Sequence, residues 1–285
     1  MRLPTLFAGV VAATICALPA QSQDRFANVE MKTEHLGDSA YMMVGSGGNI
    51  GVSAGEDGLL IIDDQFEPLA ERISAALDDI LKGKLRYVIN THYHGDHTGS
   101  NAYMREVKDA TVFAHDNVRV RLSSKEDHKH SELPVVTYAQ GVKFHFNGET
   151  LNVIHLSNAH TDGDSVVMFE KANVLHTGDL FFKDRFPYID IDAGGSVAGY
   201  IAGVEQLIGM IGDDTKVIPG HGPLGNKADL QKFVDMIKQT SATVKQLKID
   251  GMPVEDIIEA GLGEQWQDWS WAFINEEKWI RTLYR

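Results

Sequence analysis

The apolar run Leu85–Ile89 leads directly into Asn90-Thr91-His92-Tyr93-His94-Gly95-Asp96-His97, which puts three histidines and a carboxylate within six positions at the end of a buried-strand pattern. Side chains with that many lone pairs are costly to bury unless something binds them. The run therefore predicts a metal ion at a strand end, in a fold whose other strand ends converge on the same edge. Three later loops supply such ends: Asn158–Asp164 with His160, Leu175–Phe182 with Asp179, and Ile218–Gly222 with His221. Each begins where an apolar strand pattern stops and sets a His or Asp beside glycine, which lets the backbone turn closely around a cation.

The remaining pattern describes the frame. Short alternating or apolar runs at Val29–Lys32, Tyr41–Val44, Asn49–Ala54 and Leu59–Asp63 read as successive strands, and Pro68–Leu81 as a helix with one apolar stripe. Leu85–Ile89, Asn101–Val107, Thr111–Ala114 and Asp116–Leu122 read as strand, helix, strand and helix, before the charged loop Ser123–Glu132. A second half follows, with strands at Val142–Phe146, Thr150–His155, Ser165–Glu170, Val174–Thr177 and Lys216–Ile218, and helices at Val197–Ile211 and Ala228–Leu247. Two similar halves, each a meander with helices, predict two sheets packed face to face with helices outside. No linker rich in Pro, Gly or Ser divides residues 23–285, so one domain is expected there.

The N-terminus reads differently. Met1-Arg2 precedes a mostly apolar stretch, Leu3–Leu18, and then Pro19-Ala20-Gln21-Ser22, whose small residues suit cleavage. Residues 1–22 are expected to be a signal peptide, and the mature protein to be periplasmic or secreted without stable membrane insertion. A retained anchor is the competing reading, but about 16 positions interrupted by Pro4 fall short of the roughly 20 a span needs. Lipid attachment at Cys16 would call for a small residue where Ile15 stands. Cys16 is the only cysteine, so the mature chain has no thiol and a metal site must use His and carboxylate. The net charge of −14 becomes −15 without Arg2, because residues 1–22 hold no Asp or Glu. That balance counts against nucleic acid as a partner and leaves a small-molecule substrate.

The His92–His97 run, the isolated His160, the Gly178-Asp179 pair and the Gly220-His221-Gly222 ending, in that order, resemble the metallo-β-lactamase superfamily of binuclear metallohydrolases over essentially the whole mature sequence. The resemblance implies an α+β, four-layer αββα sandwich of two mixed sheets with the site at one edge between them. It implies a first Zn2+ held by His92, His94 and His160, a second held by Asp96, His97 and His221, and Asp179 bridging the two as in glyoxalase II. Imidazole and carboxylate ligands suit zinc, and iron or manganese are compatible with the same set. His94, where iron-binding flavodiiron relatives usually carry a glutamate, favours zinc.

The expected reaction is hydrolysis of a carbonyl, with Asp96 as the catalytic group that orients the nucleophile and shuttles a proton. Export favours a β-lactam amide as substrate, while the Asp179 pattern resembles glyoxalase II, thioesterases and lactonases. A non-catalytic zinc protein is the third reading, opposed by a full ligand set with open coordination positions. Lys183 and Arg185 are expected to touch substrate, salt bridges being the alternative. The turn Val44–Asn49 is expected either to cover the site as a flap or to be a plain hairpin turn. Trp266, Trp269, Trp271, Phe273 and Trp279 are expected to form a helix-packing patch. His115 is expected to cap a helix, and His35, His128, His130, His145, His155 and His176 to be structural or solvated.

Overall fold

Leu59-Leu60-Ile61-Ile62 is apolar at four successive positions, so a strand made of it must be covered on both faces. In the computed structural model, which describes residues 25–285, it is. The expected signal segment and Cys16 lie outside the described residues. One sheet places β1 (Lys32–Gly37), β2 (Ala40–Val44), β3 (Ile50–Gly55), β4 (Gly58–Ile62), β5 (Leu85–Ile89), β6 (Thr111–His115) and β7 (Val136–Tyr138) side by side in chain order. Its first three pairings are antiparallel and its last three parallel. The other contains β8 (Gly141–Phe146), β9 (Glu149–His155), β10 (Ser165–Phe169), β11 (Val174–His176), β12 (Lys216–Ile218) and β13 (Gly225–Asn226), in the order β13-β12-β11-β10-β9-β8, with only β11 and β12 parallel.

The pleat sorts the apolar residues into layers. Leu60, Ile62 and Ile89 turn inward against Leu151, Val153, Val167, Phe169 and Ile218 of the second sheet. Their neighbours Leu59, Ile61 and Val88 turn outward onto Ile73 and Leu77 of α1 (Ala70–Ile80). Two short helices, α2 (Gly95–Thr98) and α3 (Asn101–Glu106), follow β5, and α4 (Asp116–Ser123) follows β6. Val166, Leu175 and Val217 on the second sheet's outer face pack on α5 (Val197–Met210), α6 (Lys227–Ile249) and, beyond α7 (Val254–Ala260), on α8 (Glu276–Tyr284). Each such fully buried aliphatic side chain contributes about 1.5–3 kcal/mol, so the three seams dominate stability. The four-layer sandwich implied by the sequence is the fold.

Three strands depart from the sequence pattern, the first being displaced and the short β7 and β13 being unexpected, β13 set by the pairing of Asn226 with Lys216 and Gly225 with Val217. The first begins at Lys32 instead of ending there, because Lys32–His35 form an exposed edge with no alternation to read; pairing of Lys32 with Val44 and Gly37 with Ala40 sets it. β7 is three residues long and is fixed by register against Phe113–His115.

A stacked histidine pair joins the sheets. His115 caps α4, its Nδ1 accepting from Asn117 N (3.2 Å) and its Nε2 donating to Ala139 O (3.0 Å). His155 stacks on it at 3.7 Å and 10°, with Nδ1 donating to Asp164 O (2.8 Å). Burial, reinforced by His115, lowers the His155 pKa against the partial opposition of the Asp164 carbonyl and of Asp162, whose carboxylate is paired with Arg121; Tyr138 is the other titratable ring facing His115. A depressed histidine stabilises the fold above its unfolded value, near 6.5, and that contribution is lost as pH falls from there through the folded value. Calorimetric melting temperatures should therefore fall on acidification below pH 6.5, and fall less steeply in His155→Gln. Equal slopes would show that the stack does not titrate with folding.

Candidate metal centre

Strands β4 and β5 of the first sheet and β9, β11 and β12 of the second end at one edge, and each end delivers a polar loop. After β5, His94 stands at the N-cap of α2 and its carbonyl accepts from His97 N (3.0 Å) and Thr98 N (3.1 Å), so one tight turn brings Asp96 and His97 back beside His92. The β9–β10 loop brings His160, the end of β11 brings Asp179, and the end of β12 brings His221. Asn49 fastens the edge across the sandwich: its backbone N donates to Gly220 O (2.8 Å) and its side chain to Pro219 O (2.8 Å) and Gly222 O (2.9 Å).

The seven residues form two groups. His92, His94, His160 and Asp179 make one, and Asp96, His97 and His221 the other; within each, one donor atom per residue lies within 4.8 Å of the rest. Asp179 faces both. Its Oδ2 is 3.5 Å from His160 Nε2 and 3.7 Å from His92 Nε2, and its Oδ1 is 3.1 Å from His97 Nε2 and 3.3 Å from His221 Nε2.

Neighbouring groups orient the imidazoles. His97 Nδ1 is 2.7 Å from Asp63 Oδ2, and the Asp63 carboxylate also accepts from Thr91 N and Thr91 Oγ1, both at 2.7 Å. Asp63 is buried in the left-handed region at φ 64°, a conformation costing about 1 kcal/mol that these bonds offset. His94 Nε2 donates to Asp190 Oδ2 (3.0 Å), which also accepts from Tyr93 OH (2.6 Å), and His160 Nδ1 donates to the Tyr188 carbonyl (2.8 Å).

That arrangement fits a bound cation. With their other nitrogens donating, His94 Nδ1 and His160 Nε2 turn lone pairs toward each other across 2.9 Å. His92 Nε2, His97 Nε2 and Asp179 Oδ1 are buried with no hydrogen-bond partner among the described residues, an arrangement that costs about 1–3 kcal/mol per atom without something to bind them. Burial pushes His92 well below the ordinary histidine range and His160 to about 4, keeping both as neutral donors. Burial acts the same way on His97 and His221 but is outweighed, for His97 by Asp179, Asp96 and Asp63, and for His221, raised to about 9, by Asp179 and Asp96. The second group thus attracts positive charge whether as protons or as metal. A carboxylate that orients a ligating histidine typically tunes metal affinity by about 10–100-fold. Asp190→Ala should accordingly weaken metal retention by about that factor in a chelator titration, while unchanged retention would make Asp190 irrelevant to His94.

Above both groups opens a cleft of about 790 Å³, walled by Phe66, Tyr93, Phe182, Tyr188, Trp271 and Phe273. Lys183 does not line it: its ammonium is bound to Asp229 Oδ2 (2.7 Å) and Leu224 O (2.9 Å), the salt bridge that was the alternative to a substrate contact. Arg185 lies over the Trp271 ring (5.2 Å) and lines an adjoining groove that shares His221 and Gly47 with the cleft. The Val44–Asn49 turn is no free flap, since Gly48 N donates to Asp96 O (3.0 Å) and Gly48 O accepts from Gln65 Nε2 (2.7 Å). In the aromatic tail the packing expectation fits Trp269 and Trp279, which are buried in the helical layer, but Trp271 and Phe273 face the cleft. The sequence pattern also misses Asp63, Asp190 and Tyr188. Asp63 carries a readable signal, a carboxylate directly behind a buried strand; Asp190 and Tyr188 carry none.

Two mixed sheets between helical layers, with histidines and aspartates gathered at one edge, are the frame of a metal-dependent hydrolase. The chain belongs to the metallo-beta-lactamase superfamily, whose model matches residues 44–223 and so includes all seven residues. It is 22% identical over 183 residues to metallo-beta-lactamase type 2 of Bacillus cereus, across 64% of this chain and 69% of that protein. It is 25% identical over 169 residues to a hydroxyacylglutathione hydrolase of a Polaromonas species, across 56% of this chain and 57% of that protein. A solved metallo-beta-lactamase from Pontibacter korlensis shares the fold with a TM-score of 0.65 at 16% identity, covering 73% of this chain and 99% of its own.

Proposed function

We propose that the protein is an exported hydrolase that holds two zinc ions and cleaves a carbonyl substrate, with the β-lactam amide as its first substrate class. The observation that carries this reading is Asp179, whose two oxygens face different imidazole pairs. His92, His94 and His160 would hold one ion, Asp96, His97 and His221 the other, and Asp179 both. Bound zinc supplies a Lewis acid and acidifies water toward neutral pH. Asp63, Asp190 and the Tyr188 carbonyl fix which imidazole nitrogens face inward, so the ligands are set before substrate arrives. Asp96 is, at 24%, the most exposed of the acidic ligands and lies 3.4 Å from His221 Nε2, which suits it to take a proton from the nucleophile and return it to the leaving atom. Arg185, which forms no ion pair among the described residues and lines the adjoining groove, would meet a substrate carboxylate from that side, with Arg25 a second cation at the cleft itself; Lys183 is already neutralised.

The second reading is a thioester or lactone hydrolase. It is favoured by a carboxylate at position 179 and by the hydroxyacylglutathione hydrolases among the relatives. Metal content of the purified mature protein, measured by mass spectrometry beside rates on a chromogenic cephalosporin, a lactone and a glutathione thioester, tests both. Two equivalents of zinc and cephalosporin turnover are expected. A thioester preference of orders of magnitude would sink the β-lactam reading, and stoichiometric metal without turnover would leave a zinc-binding protein. Export is checked by N-terminal sequencing of the periplasmic fraction, with a start near residue 23 expected.

A further inference from the structure

The family match ends at residue 223, yet the cleft is completed by a segment some fifty residues later. The segment from Trp269 to Ile274 crosses the mouth as a strap. Both ends are buried, and two bonds pin it to the loop after Asp179, Trp269 O accepting from Phe186 N (2.8 Å) and Trp271 Nε1 donating to Phe186 O (2.9 Å), while Trp271 N donates to Ile274 O (3.0 Å) within the strap. Between the anchors, Trp271 and Phe273 extend an arc of rings. Phe182 stacks on His221 (5.0 Å, 15°), Trp271 is 6.0 Å from Phe182, Phe273 5.7 Å from Trp271, Tyr188 5.4 Å from Phe273, and His94 5.6 Å from Tyr188. The arc therefore runs from His221 in one ligand group to His94 in the other along the wall of the cleft. Phe273 is left 51% exposed at its crest, an apolar surface that a bound group would cover.

We propose that this strap is a specificity wall selecting substrates that carry an aromatic group next to the scissile carbonyl, with Trp271 the specificity-determining residue. Phe182, Trp271, Phe273 and Tyr188 pack on one another at 5.4–6.0 Å in tilted and edge-on arrangements, so they present one continuous aromatic wall to the cleft, and a phenyl group bound there would add a further ring contact of the same kind. A short alkyl substituent would leave most of that surface wet. Arg185 covers one face of the Trp271 ring (5.2 Å) and, with the indole hydrogen bond to Phe186, holds it in place, so little order has to be imposed on binding.

The proposal rests on the hydrolase reading, and the test separates the two. The zinc-loaded protein is assayed with the phenylacetyl and acetyl thioesters of N-acetylcysteamine, reading released thiol. The expected kcat/KM ratio favours phenylacetyl by about tenfold or more, falls to within about threefold in Trp271→Ala, and is largely kept in Trp271→Phe. An unaltered ratio in Trp271→Ala and Phe273→Ala, with melting temperatures showing both folded, overturns the wall. If neither thioester is cleaved, calorimetric titration with phenylacetamide and acetamide decides it independently of turnover: selective phenylacetamide binding that weakens in Trp271→Ala supports the wall, and no such difference overturns it.

Discussion

Asp179→Ala is expected to strip the protein of most of its bound metal and to reduce hydrolysis by at least about a hundredfold. Removing a group that only orients a ligand already costs about 10–100-fold, and Asp179 stands closer than that. Asp179 is 4% exposed and, among the described residues, is the one whose side chain faces His92, His97, His160 and His221 together. Burial opposes its charge, yet His221 and His97 hold it well below the ordinary carboxylate range. Alanine would leave a small void and four imidazoles with no shared counter-charge. Metal analysis after dialysis reads the result directly: retention of both ions at wild-type stoichiometry would remove Asp179 from the bridging position.

Gly220→Ala should be nearly as damaging, for a steric reason. A Cβ at that position would lie far inside contact distance of Asp179 Oδ1 and 2.7 Å from the Gly178 carbonyl, and a backbone neighbour cannot swing away. The loop is also tethered by Gly220 N to Gly178 O (2.8 Å) and Phe181 O (3.0 Å). Either Asp179 or the adjoining His221 must move, so metal should be lost along with about 1–3 kcal/mol of overpacking strain. Gly95→Ala is the control, because nothing lies within 4 Å of its Cβ although it sits between His94 and Asp96. Metal contents that do not differ between the two variants would show that loop packing does not set the site.

What the sequence made legible follows from how strongly burial constrains each residue. Leu59–Ile62 and Leu85–Ile89 are apolar because both faces are covered, and α1 shows its stripe because only one is; β12 at Lys216–Ile218 lies where its apolar pattern puts it. The seven His and Asp residues were readable because lone pairs crowded behind buried strands repel one another and lose their water unless a cation binds them. Asp190 and the Tyr188 carbonyl were not, since each acts on a histidine far away in the chain and a backbone oxygen leaves no trace in residue type. Lys183 shows the opposite failure: a basic residue near Asp179 has the composition of a substrate contact, but the N-terminal cap of α6 took it, with Asp229 serving both. Trp269 and Trp271 are chemically identical two residues apart, and only tertiary placement sends one into the core and the other to the cleft.

Each ligand group draws side chains from both sheets: His92 and His94 meet His160 and Asp179, and Asp96 and His97 meet His221. An ion in either group is therefore a clasp closing the sandwich along one margin, and its binding free energy is also cohesion between the layers. A substitution that slides one sheet by an ångström would be felt as a failed clasp long before the chain unravels. The strap hangs outside that clasp, on the helical layer of the second sheet, so selectivity can drift there by single residues while the reaction centre stays locked.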